Sequence, residues 1–287
     1  MTAPRLRPAE WILAGYFTYV AVLTFFFPSA RARGSEAWLL ASAAACVLIL
    51  VARLPGAAVS MVRDWLPFPL TLVAYRQMDW FTPTQADHTL DLAFIPWDRW
   101  LLSHGFRAAV EATGFLLPAL LEAAYLLVYV AAPIALVILI AQGKRKNFPR
   151  WWIAYLAGTL GAYALLPFFP SQPPRTAFAG SDLPSITTWL RQLNLAIVGS
   201  YGIHSSVFPS AHVSSTFSAA WGLRATLPER PGFGRAMAVY ATLVGVATVY
   251  GRYHYAADVV AGFAVSLISI LALRLSRAPG IGSARGV

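Results

Sequence analysis

LLPALLEAAYLLVYVAAPIALVILIA, residues 116–141, carries a single charge, Glu122, and is followed by Lys144, Arg145, Lys146 and Arg150 with no acid among them. Roughly 20 helical residues cross a hydrocarbon core, and this run is longer. Other apolar runs extend from about Trp11 to Phe27, Ala37 to Val51, Trp151 to Phe169, Ser210 or Ala211 to Leu223, Met237 to Tyr250 and Tyr255 to Leu273. The chain is 58% hydrophobic and only 12% charged, about half the charge of an ordinary globular protein. Backbone groups in hydrocarbon must bond within their own segment, which favours helices. The expected fold is therefore all-α: a polytopic transmembrane helical bundle with six or seven spans plus interfacial or re-entrant segments. Residues 1–287 form one integral membrane domain in this reading.

The 287 residues carry a net charge of +10. In a soluble protein that would suggest nucleic acid. Here the arginines sit in short connections between apolar runs, so the positive-inside rule accounts for them and no nucleic-acid partner is expected. Some of the excess can also meet anionic lipid head groups. If Lys144–Arg150, Arg224–Arg235 and the tail with Arg274, Arg277 and Arg285 are cytoplasmic, loop 170–210 and turn 251–255 share the opposite face. The N-terminal tail with Arg5 and Arg7 is outside if stretch 64–75 does not cross, and inside if it does or if an early run does not. The first run lacks a small-residue cleavage pattern, so no cleavable signal is expected. Cys46 is the only cysteine, which rules out an intramolecular disulfide and makes thiolate metal chemistry improbable.

Residues 54–110 read differently. Asp64 to Tyr75 is apolar but broken by Pro67 and Pro69, and residues 87–107 mix Asp87, His88, Asp91, Asp98, Arg99 and Arg107 with Trp97, Trp100 and Leu101. This is the expected interfacial or re-entrant segment, with amphipathic pieces along the membrane surface. The aspartates are then either a wet face or a set that recognises sugar hydroxyls.

Two stretches carry the chemistry. In Arg252-Tyr253-His254-Tyr255-Ala256-Ala257-Asp258 the histidine and the aspartate are four apart, so on a helix they touch. A carboxylate on one imidazole nitrogen fixes the tautomer and frees the other as nucleophile or base. Arg252 offers a donor fork that suits phosphate. The plain alternative is a salt-bridged cap on the last span. In Phe208-Pro209-Ser210-Ala211-His212, proline and serine start a helix. Its free N–H groups would face an anion beside His212. The plain alternative is an N-cap followed by an interfacial histidine. Charge topology puts both stretches on one face, together with Arg175 beyond the prolines that end the Trp151 run.

F-P-S-A-H followed by H-Y-A-A-D, each flanking a span, resembles the type-2 phosphatidic acid phosphatase superfamily of integral membrane enzymes. The form is most similar to the inositol phosphorylceramide synthase-like, or inositolphosphotransferase, branch. The resemblance covers about residues 111–275, the catalytic helical core. It implies a metal-independent lipid phosphatase or phosphotransferase without cofactor, acting through a phosphohistidine. His254 is the implied nucleophile, Asp258 its orienter, and His212 the acid and base. Arg252, Arg175 and Ser210 are the implied phosphate ligands. Thr248, Phe168 and Ala211 stand where the superfamily's motifs usually have arginine, lysine and glycine.

The expected partners are a lipid phosphate, the bilayer, and water or an alcohol as acceptor; an inositol-phosphate-type head group is one candidate for transfer. The expected location is the plasma or inner membrane, with the site on the non-cytoplasmic face. One alternative is a simple polyprenyl- or diacylglycerol-phosphate phosphatase. Another is a non-catalytic lipid transporter or scaffold, and a third is a proton-coupled channel using the histidines as a relay. Glu122 is expected to pair with a buried donor. His204 reads as a solvated loop histidine, and His88 and His104 as interfacial.

Overall fold

A computed structural model describes residues 6–276; Arg5, Arg277 and Arg285 of the expected basic tails lie outside the described residues. Among those described, the regular elements are all helical. In chain order they are α1 (Pro8–Leu23), α2 (Gly34–Arg53), α3 (Ala57–Trp65), α4 (Pro67–Gln77), α5 (Thr89–Leu101), α6 (Arg107–Glu111), α7 (Leu116–Leu126) and α8 (Ala131–Ala141). They continue as α9 (Phe148–Leu165), α10 (Pro174–Ala177), α11 (Trp189–Tyr201), α12 (Ala211–Thr226), α13 (Pro231–Tyr250), α14 (Ala256–Ser266) and α15 (Ile268–Leu275).

Among the described residues, five helical segments are long and apolar enough to cross a membrane: Arg31–Arg53, Leu116–Ala141, Arg145–Phe168, Pro231–Tyr250 and Ala256–Leu275. The runs expected from Trp11 and from Ser210 form shorter helices, α1 and α12, of 16 residues each. Within Leu116–Ala141 a tighter turn at Leu127–Val130 separates α7 from α8. Pro133 has no N–H to give to the Tyr129 carbonyl one turn earlier, so the regular ladder breaks there.

α12 is the central strut. It packs on α9, α13, α14, α8 and α15. The α9–α12–α15 seam is built from small residues. Ser214 donates to the Gly158 carbonyl at 2.8 Å, and Ser269 donates to the Ala154 carbonyl at 2.7 Å with its oxygen 2.9 Å from the Ser218 hydroxyl. Small side chains let backbones approach where lipid offers no hydrophobic drive to helix association. One glycine is forced by such an approach: a Cβ on Gly262 would lie 2.4 Å from the Ser210 carbonyl oxygen.

The two ends of the bundle are fixed by ion pairs and rings. At one end buried Asp64 binds both Arg7 (2.7 Å) and Arg145 (2.8 Å), beside the Glu10–Arg63 pair at 2.6 Å. The N-terminal segment therefore shares an end with the basic Lys144–Arg150 connection. At the other end Phe27 meets Phe81 and Phe168 at 5.4 and 5.3 Å between ring centroids. There Arg76 donates to the carbonyls of Tyr201 and Gly202. Stretch 64–81 thus runs from one end to the other.

α5 corrects the surface reading of residues 87–107. Asp91 and Asp98 are fully buried, and the exposed face is Leu92, Trp97 and Trp100. Asp91 and Asp98 point inward, while the outward face is mostly apolar and also carries Arg99, paired with Asp182 at 2.9 Å. Asp91 accepts from Gln172 N at 3.0 Å and contacts His88 Nδ1 at 2.8 Å. Asp87 is exposed. His104 lies against Trp100, its Nδ1 2.7 Å from the Trp100 carbonyl.

Candidate active site

The site is where α12 and α14 begin. Ser210 is the N-cap of α12, its hydroxyl accepting from Val213 N at 3.4 Å. Its own N–H donates to the Asp258 carbonyl at 3.0 Å, which ties the two helix starts together. Asp258 Oδ2 accepts from Tyr255 N at 2.9 Å, closing the first turn of α14. The same Oδ2 lies 3.1 Å from His254 Nδ1. His254 Nε2 in turn lies 3.2 Å from His212 Nδ1.

The hydrogen-bond network assigns the tautomers. A carboxylate can only accept, so His254 Nδ1 carries the proton and Nε2 a lone pair. His212 Nδ1–H is then the donor to that lone pair. Burial, and then the charge of Arg175, push the His254 imidazole down from 6.5 to about 3. The ring is neutral at ordinary pH, and a neutral imidazole is the nucleophilic form.

A cavity of about 60 Å³ lies against these rings, lined by both histidines and by Arg175, Tyr125, Tyr129 and Pro209. It is water-sized. Arg175, on α10, holds its guanidinium 5.2 Å above the Tyr253 ring, and its N–H donates to the Arg252 carbonyl at 3.1 Å. A second crevice of about 70 Å³ continues from His212 between α4, α7–α8, α9 and α12, past Phe68, Leu72, Tyr75, Tyr155 and Tyr163. His212 thus borders both cavities, whereas His254 lines only the first.

The structure brings His254, His212, Asp258 and Arg175 together. Ser210 is fully buried and is not among the residues lining either cavity. Arg252 does not line them either. It is buried with a positive φ of 61°. Its guanidinium meets Asp98 Oδ2 at 2.5 Å, and Asp98 Oδ1 accepts from Ala256 N at 2.9 Å. Asp98 therefore braces the turn from both ends. The aspartates of α5 are committed to protein groups rather than open to sugar hydroxyls.

Thr248, at the superfamily's arginine position, is wholly buried in α13. Its carbonyl accepts from Tyr253 N and His254 N at 2.9 and 3.1 Å. Phe168, at the lysine position, is half exposed against Phe27.

A second brace joins buried Glu122 to Arg191 (3.0 Å), Asn194 Nδ2 (2.7 Å) and the Tyr253 hydroxyl (2.8 Å). Tyr253 stacks on Tyr125 at 4.0 Å, and Tyr125 lies 5.0 Å from the His212 ring. Glu122 is paired, as expected. Arg191, Asn194 and the tyrosines carry no sequence signal beyond residue type, and Asp98 is marked in the sequence only as part of a polar stripe. His204 is exposed in its loop and pairs with Asp79 at 3.1 Å.

No curated protein and no solved structure matches the chain. A family model, described as PAP2 superfamily, matches residues 84–272, so the matched region begins upstream of residue 111 and takes in α5 and α6. With more than half of its residues matched, and with the paired histidines and aspartate inside the match, the chain belongs to the PAP2 superfamily, whose members point to phosphatase-type chemistry on a lipid phosphate at a membrane.

Proposed function

We propose that the protein is a metal-independent lipid phosphatase or phosphotransferase working through a phosphohistidine on His254. The observation that carries this reading is the chain Asp258–His254–His212, at 3.1 and 3.2 Å, beside Arg175 in one cavity. A phosphoryl group entering that cavity separates the two rings. His254 Nε2 forms a bond to phosphorus while the bond from phosphorus to the lipid oxygen breaks. His212, as imidazolium, gives its proton to that oxygen. Water or an alcohol then loses its proton to His212 and attacks phosphorus, the P–N bond breaks, and His254 is regenerated. Arg175 balances charge on the phosphoryl oxygens. Asp258 holds the His254 tautomer. Arg252 acts through Asp98 by holding the turn, and Ser210 acts as cap.

The apolar cleft beyond His212 supports a lipid as substrate, since it gives the tail a place next to the reacting phosphate. Five segments suffice for membrane crossing by length. In this reading α1, stretch 64–81 and α12 also pass from end to end, which makes eight passages rather than six or seven. The start of α1 and the end of α15 then lie with the basic connections, on the cytoplasmic side by the positive-inside rule, and the histidines face the other way.

The purified full chain should release phosphate from short-chain phosphatidic acid, insensitive to chelator. His254→Ala should abolish release while the protein stays folded; activity surviving that change would sink the phosphohistidine and favour a transporter or scaffold. His212→Ala should lose about 10²–10⁴-fold, less with p-nitrophenyl phosphate, whose leaving group needs no proton. Adding inositol separates the branches: a phosphoinositol product marks a transferase, and free phosphate regardless of alcohol marks a hydrolase.

A further inference from the structure

Two tyrosines flank the His212 ring and take no part in the chemistry above. Tyr125 of α7 lies 5.0 Å away between ring centroids, its plane tilted by 31°. Tyr129 makes a T-shaped contact at 6.1 Å. A cation gains from an aromatic face within about 6 Å of the ring centroid, so Tyr125 is the ring in reach.

Tyr125 is fixed from behind. It is buried, and it stacks on Tyr253 at 4.0 Å with the planes 6° apart. Glu122 stands three residues before Tyr125, on the same face of α7, and accepts from the Tyr253 hydroxyl at 2.8 Å. Each ring of the stacked pair therefore meets one basic group of the site: Tyr253 meets Arg175 at 5.2 Å, and Tyr125 meets His212.

A positive charge on His212 has few other partners. The titratable groups that face it are His254 (backed by Asp258), Arg175 of α10, Tyr75 of α4, Tyr129, and Tyr155 and Tyr163 of α9. Among the described residues no carboxylate lines either cavity, and Arg175 is of like charge. His254 Nε2, 3.2 Å from His212 Nδ1, commits its lone pair to phosphorus in the transfer step. Apart from the phosphoryl oxygens, an aromatic face is what remains to the imidazolium.

We propose that Tyr125 is a positioning residue for the proton transfer: its ring orients His212 and stabilises the imidazolium until the proton passes to the leaving lipid oxygen. His254 Nε2 bonds to phosphorus as the P–O bond breaks, the proton moves from His212 to the freed oxygen, and Tyr125 exchanges no proton. The inference rests on the acid role given to His212 above.

It is tested by kcat/KM of the purified full chain with short-chain phosphatidic acid and with p-nitrophenyl phosphate. Tyr125→Leu should lower the phosphatidic acid value by about 2–30-fold. It should lower the p-nitrophenyl phosphate value by a clearly smaller factor, because that leaving group needs no proton. Tyr125→Phe should stay near wild type on both. In Tyr125→Leu the alkaline limb of the phosphatidic acid profile should move to lower pH, since the imidazolium is lost sooner. Fluorinated phenylalanines at position 125 keep the shape of the ring and weaken its face, so the phosphatidic acid value should fall with each added fluorine. That series guards against a Leu variant that fails to fold. Equal factors on the two substrates, an unmoved limb or a flat fluorine series would overturn the proposal. His212→Ala separates it from the reading on which it rests. If that variant lowers both substrates equally, the acid role of His212 falls and this proposal with it. If it spares p-nitrophenyl phosphate while Tyr125→Leu does not, Tyr125 alone is excluded.

Discussion

Asp98 and Arg252 are 154 residues apart and meet at 2.5 Å, both out of reach of solvent. The same carboxylate also takes the N–H of Ala256, so one side chain spans the turn that presents His254. Removing one partner of a buried pair leaves a bare charge, at about 3–5 kcal/mol. Asp98→Asn should therefore lower the thermal midpoint strongly. Asp98→Leu with Arg252→Met should recover most of that loss. If Arg252 acts only through the turn, the folded double variant should also recover phosphate release. Activity that stays lost in a stable double variant would make Arg252 a phosphate ligand.

Tyr253 supports the Arg175 guanidinium on its ring at 5.2 Å. A cation on an aromatic face gains about 0.5–2 kcal/mol, or about 2–30-fold in binding. Tyr253→Leu should raise KM for a short-chain lipid phosphate within that range, and Tyr253→Phe should restore it, as seen in initial-rate kinetics. Equal KM in wild type and Tyr253→Leu would remove Tyr253 as a platform.

Gly262 and Gly161 make a matched pair of tests. A methyl at Gly262 would strike the Ser210 carbonyl at 2.4 Å, whereas one at Gly161 would meet Ile268 at an ordinary 3.5 Å. Overpacking typically costs about 1–3 kcal/mol. Gly262→Ala should lower both the midpoint and turnover, because Ser210 opens the helix that carries His212. Gly161→Ala should leave both near wild type.

The depressed His254 value gives a signed pH effect. Its folded-state value of about 3 lies below the ordinary 6.5, so between those values the unfolded chain binds the proton and the native one does not. Stability from this group is full above pH 6.5 and is lost as pH falls toward 3. His254→Gln should flatten that part of the midpoint-versus-pH curve. A slope unchanged from wild type would show the native ring to be charged.

How much of this is legible in the sequence depends on how far apart the partners are. His254 and Asp258 are one helical turn apart, and Ser210 and His212 sit at a proline-marked helix start, so spacing alone places them. The Asp98–Arg252 and Glu122–Arg191 pairs need the tertiary path of the chain, which no local period encodes. α5 shows a subtler limit. Its pattern reveals a polar stripe at Asp91 and Asp98, but not which way that stripe turns. Surface helices in water turn it outward, whereas here Leu92, Trp97 and Trp100 are the exposed residues and the aspartates are buried. Stretch 64–81 is opaque in the sequence for a similar reason. Two prolines and polar ends hide a path whose direction appears only through Asp64 at one end and Arg76 at the other.

α12 is a short ruler. Its 16 residues measure about 24 Å at 1.5 Å per residue, against about 30 Å of hydrocarbon. One tip carries His212 and the other Arg224, so the two tips cannot both lie level with the lipid head groups. Either the bilayer is pinched around the protein or a phosphate must sink beneath its neighbours to be reached. On the proposed reading depth then favours a tailed substrate, and p-nitrophenyl phosphate should react with a higher KM than a short-chain lipid phosphate.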